Sequence, residues 1–178
     1  MAMDFSFTAP LDKHDSSLGW FYIVFIPADL IPKLGKEKSP RVKATFNDSE
    51  VAHISVKSRG EERYLVVNSE LRKKLKLEKG MPVHLRLEEE KSEYGMPMPE
   101  ELALMLAEDE MANHHFHQLT PGVQRSLIYL VLKIKSVDAR IRKALAIVEH
   151  LNEYDGKLDF KALMEKMKEV NQRYKMRS

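Results

Sequence analysis

The stretch KSEYGMPMPEE, residues 91–101, separates two kinds of sequence periodicity. Before it, apolar side chains recur at every second position, which is typical of β-strands with one buried face. After it, they recur at steps of three and four, which is typical of amphipathic helices. Gly95, Pro97 and Pro99 are typical of a connection. We therefore predict an α+β protein with a β domain at 1–91, a linker at 92–98 and a helical region at 99–178.

Six segments before this linker have the composition of strands. They are MDFSFTA, GWFYIVFIP, PRVKATFN, EVAHISVKSRG, ERYLVVN and MPVHLRLEEE. The second is apolar throughout, which predicts a central strand covered on both faces. Two short helical segments, ADLIPKLG and SELRKKLKL, interrupt the series, and Ser69 is the expected N-cap of the latter. The segment DKHDSS, 12–17, has the composition of a polar loop. Six short strands without long helices between them predict a small six-stranded β-barrel.

Three helices are predicted after the linker. The first runs over about 99–115. The second begins after Thr120, an N-cap residue, with Pro121 at the first helical position. Its apolar stripe continues for about eight turns and consists of Val123, Leu127, Leu130, Ile134, Val137, Ile141, Leu145 and Val148. The third begins at Asp159 and ends in the basic segment QRYKMRS.

The composition excludes several classes of function. The chain has 178 residues and no cysteine, so disulfides and thiolate chemistry are absent. The seven glycines never cluster, whereas a phosphate-cradling loop needs several close together. The N-terminus lacks the pattern of a secretory signal, and the longest apolar run, WFYIVFIPA, is too short for a membrane span. We expect a cytoplasmic protein without a membrane span.

The stretch NHHFHQ, residues 113–118, is the most obvious candidate metal site. On a helix, Glu110, His114 and His117 would share one face and could supply three ligands. That face points away from the apolar stripe of the same helix and therefore toward solvent. In a working metal site, hydrogen bonds from neighbouring groups orient the ligating side chains, and the metal lies in a protected cavity. We therefore predict no metal and no cofactor. No catalytic constellation is found elsewhere either, which favours a non-enzymatic protein.

The segment KIKSVDARIRK, residues 133–143, carries five basic residues against one acidic residue, although the whole chain has a net charge of only +2. Lys135, Arg142 and Lys143 project off the apolar stripe, and Arg140 flanks it. These four residues are the candidates for binding an anion or a partner. The alternative is internal pairing, because residues 84–110 carry nine acidic residues against two basic ones. Both interpretations remain open at this point.

Two sets of residues resemble a known family. The first set comprises Trp20, Pro27, Arg41, Val42, Asn47, Tyr64, Leu71, Arg72, Lys73, Leu75, Leu77 and Gly80. The second comprises Phe116, Leu119, Pro121, Arg125, Lys135, Arg140 and Arg142. The types and the order of these residues resemble the sequence pattern of the YdeI/OmpD-associated, or bacteriocin-protection, family. The N-terminal barrel of that family is a domain of unknown function. The resemblance covers roughly 4–150 and implies a six-stranded closed barrel followed by helices.

The chain departs from the family pattern at several positions. Met81 replaces an acidic residue, Asp138 and Ala139 replace a Glu–Thr pair, and Lys143 replaces an arginine. The segment from about residue 152 onward extends beyond the usual end of the family. The resemblance implies no catalytic residues, and its name reflects an association with peptide or bacteriocin resistance.

Two functional hypotheses follow. The first is a non-enzymatic cytoplasmic binding or stress-resistance module that contacts an anionic ligand, a peptide or a protein through the basic helix. The second is a nucleic-acid-binding protein that uses the basic helix 133–143 and the basic C-terminal tail. The sequence leaves the oligomeric state open.

Overall fold

The chain folds as two compact units, Met1–Lys91 and Ser92–Ser178. The computed structural model describes residues 2–16 and 19–177. All strands of this described part lie in the first unit, and the long helices lie in the second. The α+β class is therefore confirmed. The division into separately folding domains joined by a linker at 92–98 stays a prediction.

The first unit contains two antiparallel four-stranded sheets. The strands are β1 (Asp4–Pro10), β2 (Asp12–Ser16), β3 (Gly19–Phe25), β4 (Arg41–Phe46), β5 (Glu50–Ser55), β6 (Lys57–Arg59), β7 (Glu62–Val67) and β8 (Pro82–Glu89). One sheet has the order β1-β8-β4-β5, and the other has the order β2-β3-β7-β6. The predicted six-stranded closed barrel is therefore wrong, because eight described strands form two separate sheets.

Two bends explain the difference in strand number. Leu11 lies between β1 and β2, and Val56 lies between β5 and β6, and both residues are buried. At each bend the chain passes from one sheet to the other, a common way of making a corner. The segment EVAHISVKSRG was predicted as one strand because its alternation continues through the bend. The predicted polar loop DKHDSS is also wrong over 12–16, which form the edge strand β2, while Ser17 lies outside the described residues.

The alternation in the first sheet correctly predicted its buried face. Val42, Ala44 and Phe46 of β4 are fully buried, as are the three alternating residues Val83, Leu85 and Leu87 of β8. The helical segments are a 3₁₀ helix (Ala28–Leu34) and α1 (Ser69–Leu75). The N-cap of α1 is Asn68 rather than Ser69, and its side chain accepts a hydrogen bond from the Leu71 N–H.

The second unit contains five α-helices among its described residues. They are α2 (Glu100–Glu108), α3 (Glu110–Gln118), α4 (Pro121–Leu132), α5 (Val137–Glu153) and α6 (Phe160–Lys175). The prediction of three helices is wrong because the first two are each divided in two. The side chains of Asp109 and Ser136 cap α3 and α5 by accepting bonds from the amides of Ala112 and Ala139. The N-cap predicted at Thr120 is confirmed, and α6 begins directly after Asp159, where the third helix was predicted to begin.

The break before α5 changes which residues reach the core. The predicted stripe included Val137, but this residue is 58% exposed. Leu127 of the stripe is fully buried as predicted, but other fully buried residues here lie outside the stripe: Ile128 and Val131 of α4, and Ala144, Ile147 and Leu151 of α5. The turn between α4 and α5 interrupts the 3.6-residue periodicity, so each helix buries its own set of positions. One stripe extended over both helices therefore could not be correct throughout. Across the described chain, we find no helix with the length and apolar content needed to span a membrane.

Candidate anion-binding site

The basic segment 133–143 begins at the turn between α4 and α5. Lys133 ends α4 in a helical conformation, and Ser136 caps α5, so the turn spans only four residues. Lys133 and Lys135 are both exposed here. The ammonium group of Lys133 lies 5.7 Å from the centre of the Tyr129 ring. The turn thus presents two lysines to solvent.

Arg140 points back into the helical unit. Its Nε donates a hydrogen bond of 2.6 Å to the Ile134 carbonyl, at the end of α4. Its Nη1 lies 3.6 Å from Oε1 of Glu101, a carboxylate of α2 with only 12% of its side chain exposed. The guanidinium therefore joins the α4–α5 turn to α2. For this residue, internal pairing with the acidic segment is the arrangement observed.

Arg142 is held by α6. Its Nε donates a hydrogen bond of 2.8 Å to Oδ1 of Asn171, and its guanidinium lies 5.8 Å from the centre of the Tyr174 ring. The residue is half-buried. The guanidinium donors of Arg142 are thus partly used by α6. This helix lies beyond residues 4–150, the region that resembles the family.

Lys143 lies in a different environment. It is half-buried, and burial is the main cause that lowers the pKa of its ammonium group, with the positive charge of Lys133 as the second cause. The charge of Lys133 thus acts on the ammonium group of Lys143. In the described part of the chain, no carboxylate lies within ion-pair distance of Lys133, Lys135 or Lys143. We call these three residues the lysine cluster.

The structure thus divides the four predicted site residues into two pairs. Arg140 and Arg142 make internal contacts, whereas Lys135 and Lys143 belong to the lysine cluster. Lys133 is an addition that sequence reasoning missed, although it lies in the same basic segment. Lys133 was missed because the end of α4 was not recognised. In one continuous helix, the sequence does not indicate which lysines flank a turn. Three uncompensated cations in one region can hold an anion by charge-assisted hydrogen bonds.

The Glu110, His114 and His117 group lies on the surface of α3. All three residues are exposed, and α3 extends to Gln118, so His117 lies inside the helix. The hydroxyl of Tyr94 lies 2.8 Å from His117 Nε2, and Nδ1 of the same ring lies 2.8 Å from the Asn113 carbonyl. Both ring nitrogens are therefore occupied by local contacts. Within 2–16 and 19–177, no group of three or more histidine, aspartate or glutamate residues is arranged for a metal ion.

The inward position of Arg140 predicts a structural rather than a binding role. Replacing it with glutamine should lower the free energy of unfolding by about 1–2 kcal/mol, because the largely buried Glu101 carboxylate loses its cation. Thermal and urea unfolding of the full chain would measure this loss. Lys135→Gln is the matched control, since Lys135 is exposed and contacts no described carboxylate. Equal stability of the two variants would contradict the assignment.

Comparison with known proteins matches both units of the chain to family descriptions. Residues 7–87 match the Domain of unknown function (DUF1905). Residues 95–154 match the family described as Bacteriocin-protection, YdeI or OmpD-Associated. No curated protein matches the chain. The lysine cluster, Arg140 and Arg142 all lie within the second matched region, whereas α6 lies beyond it.

Proposed function

From the match of residues 95–154 to the bacteriocin-protection, YdeI or OmpD-associated family and of residues 7–87 to the DUF1905 family, we propose a function for the chain. It is a non-enzymatic binding module with a bacteriocin-protection-like role. In this proposal, the lysine cluster binds an anionic ligand or an acidic segment of a peptide or protein. Action in the cytoplasm is part of the same proposal.

One observation carries the proposal. In the basic segment 133–143, the two arginines contact other parts of the helical unit, while the three lysines contact no described carboxylate. The positive charge of Lys133 acts unfavourably on that of Lys143, and a bound anion would relieve this repulsion. The half-buried position of Lys143 strengthens the attraction, because a partly desolvated charge is screened less by water.

A binding experiment with inorganic tripolyphosphate tests the cluster directly. Isothermal titration calorimetry on the full chain should detect binding, and the triple variant Lys133→Gln, Lys135→Gln, Lys143→Gln should weaken it by roughly tenfold or more. Glutamine keeps the length of the side chain and removes its charge. The melting temperature should stay close to that of the wild type, because none of the three lysines makes an ion pair with a described residue.

The matched control removes the same charge elsewhere in the unit. Lys157, Lys161 and Lys168 are exposed and form no ion pair with any described residue, so their triple glutamine variant has the same net charge as the cluster variant. It should bind tripolyphosphate as the wild type does. Equal weakening in both variants would show that binding depends on overall charge alone and would reject the cluster as the site.

Nucleic-acid binding through 133–143 and the basic tail is the second candidate. The five basic residues of 133–143 support it. In the tail, however, Arg173 already forms a 2.6 Å ion pair with Glu149. Fluorescence anisotropy with labelled single-stranded and double-stranded oligonucleotides at low salt would test this candidate. Phosphate contacts require an affinity that falls steeply with salt, so absence of binding at low salt would exclude it.

A further inference from the structure

The outer face of the first sheet carries a row of charged side chains that the proposed function does not use. The strand register places Glu88 of β8 opposite Lys43 of β4, and Lys43 opposite His53 of β5. Successive side chains of a strand point to opposite faces, and Val42 and Ala44, on either side of Lys43, are buried in the core. The row therefore lies on the face that points away from the core.

His53 is held by a carboxylate at one of its two ring nitrogens. Its Nδ1 forms a hydrogen bond with Oε2 of Glu90, whose side chain is only 5% exposed. Because a carboxylate accepts hydrogen bonds, Nδ1 carries the proton, and the lone pair of the neutral ring lies on Nε2. A carboxylate in this position fixes the orientation of the imidazole and makes its second nitrogen more basic.

The second ring nitrogen of His53 is open. Among the described residues, Nε2 has no hydrogen-bond partner, and it is not one of the buried polar atoms that lack a partner. The His53 side chain is 17% exposed, so the lone pair is accessible although most of the ring is covered. An imidazole with one nitrogen bound to a carboxylate and the other nitrogen accessible has the arrangement of an activated nucleophile.

The side chains next to His53 determine which group its lone pair can take up. Directly opposite residues of an antiparallel pair have Cβ atoms about 5 Å apart, so the long side chain of Lys43 can reach the imidazole. Its ammonium group lies 3.4 Å from Glu88 Oε2 and is 43% exposed, and surface pairs of this kind are weak. The Arg41 guanidinium donates hydrogen bonds to the His53 carbonyl and the Ser55 hydroxyl. Two cations beside the imidazole favour an anionic phosphoryl group over a neutral acyl group.

We propose that His53 is a phosphorylation site, at which Nε2 takes up a phosphoryl group from a small donor of the acyl phosphate class. The Nε2 lone pair forms the N–P bond as the P–O bond of the donor breaks, and a carboxylate leaves with the bonding electrons. The ring keeps its Nδ1 proton, and Glu90 stabilises the positive charge that the ring acquires. Lys43 exchanges Glu88 for the phosphoryl oxygens. The site lies in the first unit and does not depend on the lysine cluster.

Labelling of the full chain with phosphoramidate tests this site. Phosphoramidate phosphorylates imidazole nitrogens and releases ammonia, and mass spectrometry under alkaline conditions can follow the label at each histidine. His53 should be labelled several-fold faster than His84, whose side chain is 41% exposed, and faster than His114, which is also exposed. If exposure alone controlled the reaction, these two reference histidines would react first, and that order would overturn the proposal.

The position of the label is a second readout, and it needs no variant. Phosphorus NMR distinguishes the two isomers of phosphohistidine. His53 should carry the group on Nε2 alone, because Glu90 occupies Nδ1. A label on Nδ1 of His53 would contradict the proposal. Since this measurement uses the wild type, it does not depend on the folding of any variant.

Glu90→Gln tests the role of the carboxylate. Glutamine keeps a hydrogen-bond acceptor for Nδ1 but removes the negative charge, so labelling of His53 should slow by roughly tenfold or more. The two reference histidines should react as in the wild type. Glu88→Gln is the matched control, because Glu88 lies two residues before Glu90 and contacts Lys43 rather than His53. It should not slow the reaction. An unchanged rate in Glu90→Gln, or equal slowing in both variants, would reject the assigned site.

Discussion

Gly156→Ala is expected to lower the free energy of unfolding of the helical unit by about 2–4 kcal/mol. Gly156 has a φ of +76°, in the left-handed region, and its N–H donates a bond of 2.8 Å to the Leu151 carbonyl at the end of α5. An added Cβ would lie 2.6 Å from Nδ1 of His115 and 3.2 Å from its Cβ. Backbone strain and a steric clash therefore act together. Urea unfolding followed by circular dichroism would measure the loss.

Two further variants separate these causes. Gly122→Ala is the matched control within the same unit, because the nearest atom to its added Cβ is Nη2 of Arg125 at 3.9 Å. This change should be close to neutral or stabilising, since alanine favours helices by about 1 kcal/mol. In a His115→Ala background, the cost of Gly156→Ala should fall to the backbone part of about 1–2 kcal/mol. An unchanged cost in that background would reject the steric explanation.

A loss of stability in mild acid is expected from His150. This residue is fully buried. The N–H of Asp159, the N-cap of α6, donates a hydrogen bond of 3.2 Å to His150 Nε2, so the ring is neutral with its proton on Nδ1. Among the described residues, Nδ1 has no hydrogen-bond partner. The ring stacks on Tyr154 with 4.5 Å between the ring centres. A second proton would break the bond that joins α5 to the start of α6.

Burial is the largest influence on His150 and lowers its pKa, and the positive charge of Lys166 acts in the same direction. The carboxylates of Asp159 and Glu153 oppose this shift, as does the backbone of Lys157. The unfolded chain therefore takes up a proton near about pH 6.5, where the folded chain does not. At higher pH the residue is neutral in both states and has no effect. As the pH falls through about 6.5, unfolding becomes more favourable until the folded pKa is reached.

The variant His150→Gln isolates this contribution. Glutamine can still accept the Asp159 N–H bond through its side-chain oxygen, but it does not titrate. Between about pH 7 and pH 5, the wild type should lose up to about 1.4 kcal/mol per pH unit more than the variant. Urea unfolding at several pH values would give both curves. Parallel curves would contradict the assigned role of His150.

Parts of this fold could be predicted because local sequence and tertiary position agree there. In β8, Val83, Leu85 and Leu87 alternate in sequence and are fully buried in the structure. The cap Thr120 and the start of the last helix at Asp159 were also recognised. The corner at Val56 was missed because an apolar residue continues the alternation through a bend. Strand β2 was missed because an edge strand can carry polar residues, as Asp12–Ser16 does.

The division of the long helices was readable in principle. Asp109 and Ser136 are good N-cap residues, but each lies in a run whose apolar spacing also fits a continuous helix. This error carried over to the candidate site. Projection from one continuous helix grouped Arg140 with the exposed cations, whereas the break before α5 turns it toward Glu101. The contact between Arg142 and α6 joins residues 29 positions apart, and no local pattern predicts it.

The order of the first sheet has a consequence for synthesis on the ribosome. β1 lies at an edge of that sheet, and its partner is β8, with Asp4 opposite Glu88. The first described strand of this unit must therefore wait until the last strand of the unit has been made. Contacts so distant along the chain favour slow closure, and nascent β1 is exposed to neighbouring polypeptides during this delay. A chaperone requirement during translation would thus arise from strand order, independently of the stability of the finished protein.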